Sequence, residues 1–145
     1  MYIVRFIPVS EINIGDYLAH PLVRYRNHLE FNGYHVDEED ELLLCRHARK
    51  HGLIVKNVPN RGVLIRILYS CNLNVDRHNL LEYVNELNLL FMFMKAYIDN
   101  SGSNLYMETF CEGEYDRTNF SIVLDNIDYD MEMFINHHQT RECLL

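Results

Sequence analysis

At 145 residues the chain is long enough for one domain to bury roughly two-thirds of its unfolded surface without covalent staples. Hydrophobic residues make up 48%, with ten Tyr, seven Phe and no Trp, and no apolar run approaches the roughly 20 residues of a bilayer span. The net charge of -8 is unevenly spread, with nine basic and eight acidic side chains in residues 1–72 against four and thirteen in residues 73–145. An acidic second half argues against nucleic acid, whose phosphates need a basic footprint.

Met1 to Ile7 alternates with the period of a strand but is interrupted by Arg5 and closed by Pro8. It is too short for a secretory h-region and lacks a small-residue cleavage site. We read residues 1–15 as an N-terminal arm or extra strand that either joins a sheet edge or reaches a second subunit. Leu22, Tyr25 and Leu29 then recur at helical spacing, with Pro21 at a first helical position, where its missing N–H is not needed. Asn32-Gly33 stops that helix.

Strands are predicted at Tyr34–Val36 and Leu42–Cys45, around an acidic turn Asp37–Glu41, and at Leu53–Val58 and Val63–Tyr69, around Pro59-Asn60-Arg61-Gly62. Val63, Ile65, Ile67 and Tyr69 share one face of the last strand and Leu64, Arg66 and Leu68 the other, which marks it as central. Asn74 or Asp76 can cap a helix carrying Leu80, Val84, Leu87 and Phe91 inward. Met94–Ile98 and Leu105–Cys111 read as a hairpin around Asp99-Asn100-Ser101-Gly102. In the last helix Phe120, Val123, Leu124, Ile127, Met131 and Phe134 form one stripe. Asp125, Asp128 and Glu132 back it, and Asp116 or Thr118 is placed to cap it.

The segment Leu81-Glu82-Tyr83-Val84-Asn85-Glu86-Leu87-Asn88, followed by strand, glycine turn, strand and helix, resembles the YbjN-like bacterial family, described as sensory transduction regulators. Gly33-Tyr34-His35-Val36 and the strands after it fit the same layout, so the resemblance spans roughly residues 20–136. It implies a fold similar to the type III secretion chaperones and a non-enzymatic module that pairs with itself and binds other proteins.

Four cysteines, Cys45, Cys71, Cys111 and Cys143, are too dispersed for a disulfide scaffold, and reduced thiols in a cytoplasm are the simpler reading. Cys45, His47 and His51 come closest to a metal set, because zinc takes thiolate and imidazole at short spacings. No second pair matches them, and a solvated basic turn is the simpler reading. The carboxylates of Asp37–Glu41 lack the alternation and glycine of a calcium loop. Glu108 and Glu112 share a strand face without a sign of split acid and base roles. No nucleophile elbow or phosphate-cradling glycine loop occurs.

Leu89-Leu90-Phe91-Met92-Phe93-Met94 is a different kind of signal. Six large apolar residues at a helix-to-strand junction exceed what one buried face takes, so Phe91, Met92, Phe93 and Met94 are candidate partner-binding residues. The competing reading makes the run core, or covers it with the N-terminal arm.

The expectation is an α+β fold in which an antiparallel sheet of about five strands carries packed helices, in the order α-β-β-β(-β)-α-β-β-α, with residues 16–145 as a single α+β domain. The expected function is a non-enzymatic, cytoplasmic protein-binding module, chaperone-like or regulatory. It is expected to be a homodimer with a protein partner or cargo, without cofactor, metal, nucleic acid or membrane. The alternative is a metal- or ligand-dependent sensor or small enzyme using Cys45, His47 and His51.

Overall fold

Alternating apolar residues in six segments build one antiparallel sheet, and the computed structural model describes it within residues 20–145. The Met1–Gly15 arm lies outside the described residues. Helix α1 (Val23–Phe31) leads into β1 (His35–Glu39), β2 (Leu42–Arg46), β3 (Leu53–Val58) and β4 (Gly62–Ser70). Helix α2 (Arg77–Leu90), the hairpin of β5 (Lys95–Ile98) and β6 (Asn104–Glu112), α3 (Arg117–Asn136) and the short α4 (Thr140–Cys143) follow. The strand order is β1-β2-β3-β4-β6-β5.

The sheet has six strands, the upper count of the expected order, and the acidic run is only partly a turn. Asp37 to Glu39 belong to β1 and pair with Leu44 to Leu42, so three of the five carboxylates lie on an edge strand. Pro21 stands in the turn before α1 and not at its first position. There the Leu22 N–H donates to His20 Nδ1 at 3.1 Å, which gives the helix entry a partner no cap residue supplies. Helices α2 and α3 are capped conventionally, Asp76 accepting from the Asn79 N–H at 3.0 Å and Asp116 from the Asn119 N–H at 2.8 Å.

Strand β4 is central by pairing, between β3 and β6. Its two faces differ: Val63, Ile65 and Ile67 are buried, whereas Leu64 and Arg66 are half-buried and Leu68 is exposed. Leu43, Val55, Leu105 and Met107 join the buried set from neighbouring strands, and Leu29, Tyr83, Leu87, Phe120, Met131 and Phe134 meet them from the helices. Each such side chain contributes about 1.5–3 kcal/mol through burial. All helices therefore lie on one face, and among the described residues none covers the other. The tail was not read from sequence as structured, yet α4 returns the chain to the sheet end, where Leu144 bridges Cys71 and Thr140 Oγ1 lies 2.7 Å from the Tyr83 hydroxyl.

Gly62 opens β4 at φ +146°, and a Cβ there would stand 2.1 Å from the Cys111 carbonyl oxygen. Gly113, at φ +89°, faces open space. Gly62→Ala is expected to cost more than about 3 kcal/mol, because the backbone of β6 must move, and Gly113→Ala only about 1–2 kcal/mol of conformational strain. Urea unfolding checks this; equal losses would contradict the close β4–β6 approach.

Candidate functional site

Among the described residues, no helix packs on the second face of the sheet. Across its centre Arg66 of β4, Glu108 of β6 and Lys95 of β5 stand directly opposite one another. Glu108 is only 4% exposed. Its Oε2 accepts from Arg66 Nε and, at 3.0 Å, from the Tyr97 hydroxyl, while Oε1 lies 3.7 Å from the Lys95 ammonium. Burial works against the Arg66 charge, but the hydrogen bond and the negative charge of Glu108 outweigh it and raise the guanidinium pKa. Tyr97 and Tyr106 stack at 5.4 Å, and Arg66 lies 5.2 Å from the Tyr106 ring centre. The centre of the open face is thus a neutralised carboxylate under two cations, framed by Leu64, Leu68 and Phe110.

At one side this face deepens into a groove of about 530 Å³ between Met92–Lys95 and Glu108–Phe110, with Leu64 beside it. Its origin is a single carboxylate. Asp130 of α3 is 0% exposed and accepts the backbone N–H groups of Met92 at 3.0 Å and of Phe93 and Met94 at 2.8 Å each. A charge buried so deeply is tolerable only with such donors. Continued backwards, the β5–β6 register would set Met94, Phe93 and Met92 opposite Thr109, Phe110 and Cys111. Because they turn to Asp130, the β5–β6 pairing stops at Lys95–Glu108. The β4–β6 pairing runs on to Glu112.

The apolar run before β5 is consequently divided. Phe91 and Met94 are core residues, 8% and 7% exposed, where all four side chains from Phe91 to Met94 were expected to face a partner. Met92 is 70% and Phe93 43% exposed, and Phe93 meets Tyr129 edge-on at 6.1 Å. The outer edge of β5 is occupied by α2: Asn88 donates to the Ala96 carbonyl at 2.9 Å and accepts from the Ala96 N–H at 2.8 Å, as a neighbouring strand would.

Cys45, His47 and His51 are not brought together as ligands. Cys45 is buried in β2, and burial, with Asp37 nearby, pushes its thiol pKa up to about 12, away from the thiolate a metal requires. His47 Nδ1 accepts from the Arg49 and Lys50 N–H groups and its Nε2 faces the Asn32 carbonyl at 3.2 Å, so the ring organises its own turn. His51 Nδ1 pairs with the Tyr69 hydroxyl at 2.7 Å, and burial lowers its pKa. No group of three His, Cys, Asp or Glu side chains among the described residues is arranged to hold a metal ion.

Glu108 and Glu112 share a face as expected, but only Glu108 is buried, and Arg66 neutralises it. Ser121 Oγ, the two His28 nitrogens and the Tyr115 hydroxyl form a relay at 3.2 and 2.8 Å that ties α1 to the start of α3. Burial lowers the His28 pKa, and Arg117 adds to the effect. None of Asp130, Asn88 and the Arg66–Glu108–Lys95 row was singled out from sequence. The row is invisible without the register, but Asp130, between Ile127 and Met131 and four residues before Phe134, interrupts an apolar stripe and could have been found there.

No family model matches the chain, and no curated protein does. Among solved structures, the fold is similar to the crystal structure of YbjN from E. coli, a proposed transcription regulator, with a TM-score of 0.69 and 15% sequence identity over 86% of this chain and 95% of that one. At that identity the likeness shows the fold: this chain has a YbjN-like fold. No helix among the described residues is long and apolar enough to cross a membrane.

Asp130→Asn keeps the shape but replaces one acceptor oxygen with a donor that faces main-chain N–H groups. A loss of about 2–4 kcal/mol in urea unfolding is expected. A loss below about 0.5 kcal/mol would show that the three amides are satisfied elsewhere.

Proposed function

We propose that the chain is a non-enzymatic protein-binding module of a regulatory or chaperone-like kind, working through the open sheet face and the Met92–Phe93 corner. The observation that carries this reading is the pairing of a helix-free sheet face with a groove whose rim exposes Met92 and Phe93. Solvent-exposed Met92, Phe93 and Phe110 beside half-buried Leu64 form an adaptable apolar surface of the kind partners cover. The YbjN-like fold supports a regulatory role, since YbjN is itself a proposed transcription regulator. The net charge of -8 favours a protein partner over nucleic acid.

The four cysteines are free and buried, which suits a cytoplasmic setting. A homodimer draws on the same apolar surface, so self-association and partner binding compete in this reading. The reading assigns no catalysis, because the buried Glu108 is neutralised by Arg66 and the Ser121–His28–Tyr115 relay ties α1 to α3.

The test is a pull-down from the native cytoplasm followed by mass spectrometry, run with the parent chain and with Met92→Asp, Phe93→Asp and Leu73→Asp. Leu73 is exposed outside the groove lining. The expected result is a specific protein retained by the parent and by Leu73→Asp and reduced at least tenfold by either groove variant. Equal retention by all four would contradict the assigned surface.

A further inference from the structure

Between α1 and the start of α3 lies a cavity of about 340 Å³, lined by Arg24, Asn27, His28, Phe31, Tyr115 and Arg117. The four α1 residues stand at i, i+3, i+4 and i+7, so one side of that helix forms its wall. Two guanidiniums line the cavity and no carboxylate does, in a chain whose net charge is -8. Among the described residues Arg26, Arg46, Lys50, Arg66 and Lys95 each meet a carboxylate, whereas Arg24 and Arg117 meet none.

The acidic side chains nearest in the chain are directed elsewhere. Glu30 lies 3.6 Å from Arg26, and Asp116 turns onto the Asn119 N–H as the cap of α3. Glu114 lines the adjoining cleft, which it shares with Arg24 and Arg61. His28 is a fixed wall rather than a donor to a ligand, because its two nitrogens are engaged by the Tyr115 hydroxyl and Ser121 Oγ. Asn27 accepts through Oδ1 from Arg26 at 3.4 Å, which leaves its amide hydrogens to the cavity among the described residues. Phe31 is 85% exposed. A lone exposed Phe is ordinary on a surface, but this one completes a cavity that holds two arginines.

We propose that this cavity binds a nucleoside monophosphate, with the phosphate between Arg24 and Arg117 and the base laid on Phe31. A phosphate monoester carries about -1.5 to -2 charges at pH 7 and three acceptor oxygens, and planar guanidinium forks match them in charge and geometry. A base gains from stacking on an exposed aromatic ring. Arg24 and Phe31 are seven residues apart, roughly 10 Å along the helix axis. The charged end and the ring of the ligand are therefore set apart, as a pentose sets them and a phosphate bonded directly to an aromatic ring does not. The site is distinct from the Met92–Phe93 groove, and the inference goes beyond the protein-binding reading without depending on it.

The test is calorimetric titration of the full chain with adenosine 5′-monophosphate, adenosine, inorganic phosphate and phenyl phosphate. The monophosphate is expected to bind at least tenfold more tightly than the other three. Arg24→Gln and Arg117→Gln are each expected to weaken it at least tenfold, and Phe31→Ser to bring it down toward the affinity of inorganic phosphate. Arg49→Gln, exposed and outside the cavity, is expected to change nothing. All four replaced side chains are exposed, so the fold is expected to survive, with unchanged urea midpoints as the check. Absence of saturable binding at millimolar nucleotide would overturn the inference. Equal binding of nucleotide and inorganic phosphate would do so as well, reducing the site to an anion patch, and so would phenyl phosphate binding as tightly as the nucleotide or full affinity in Arg117→Gln.

Discussion

Three consecutive backbone amides converging on one buried carboxylate set the architecture of the functional side of this protein. Asp130 lies on the inward part of α3 among Ile127, Met131 and Phe134, where a charge is intolerable unless donors surround it. The Met92, Phe93 and Met94 amides are those donors. Their commitment has two consequences. It fastens the α2–β5 junction to the last helix, and it withholds from β6 the Phe93 amide, the one of the three that a longer β5 would have turned toward it. A stabilising contact and an open strand edge thus share one cause.

The two faces of the sheet show how the same alternation yields a core and a surface. One face meets three helices and is filled by Leu, Ile, Val and Met. The other keeps Leu64, Leu68 and Phe110 but sets Arg66, Glu108 and Lys95 across its middle. Replacing such a row with apolar residues would often be no less stable. Its physical effect is to break an otherwise apolar face with charge, and the stacked Tyr97 and Tyr106 lie beside the two cations, Arg66 at 5.2 Å from the Tyr106 ring centre and Lys95 at 5.7 Å from that of Tyr97.

Much of the fold was legible in local pattern. The stripe from Phe120 to Phe134, the Asp116 cap, the Asp99–Gly102 turn and the Pro59–Gly62 turn each follow from short-range chemistry, and each is found where expected. The acidic stretch reads as a turn because charged residues are the usual content of one, whereas three of its five carboxylates line a strand that has no outer neighbour among the described residues. The apolar run Leu89–Met94 divides between core and surface, Phe91 and Met94 inside and Leu89, Leu90, Met92 and Phe93 outside. Which of its members face out could not be read, since neither helical nor strand periodicity applies to a segment whose conformation is dictated by Asp130, thirty-six residues after Met94. The Arg66–Glu108–Lys95 row is likewise a product of long-range register. Cys45, His47 and His51 are close in sequence, but Cys45 is buried in β2, and in the loop that follows His47 turns to Asn32 and its own turn while His51 turns to Tyr69.

Hydrogen exchange of the free protein, resolved residue by residue, tests the central claim most directly. The Met92, Phe93 and Met94 amides are predicted to exchange as slowly as those of β4 although Met92 and Phe93 hold their side chains in water, while two of the four amides from Thr109 to Glu112 exchange at the rate of an open edge. Rapid exchange at residues 92 to 94, or uniform protection from Thr109 to Glu112, would contradict it.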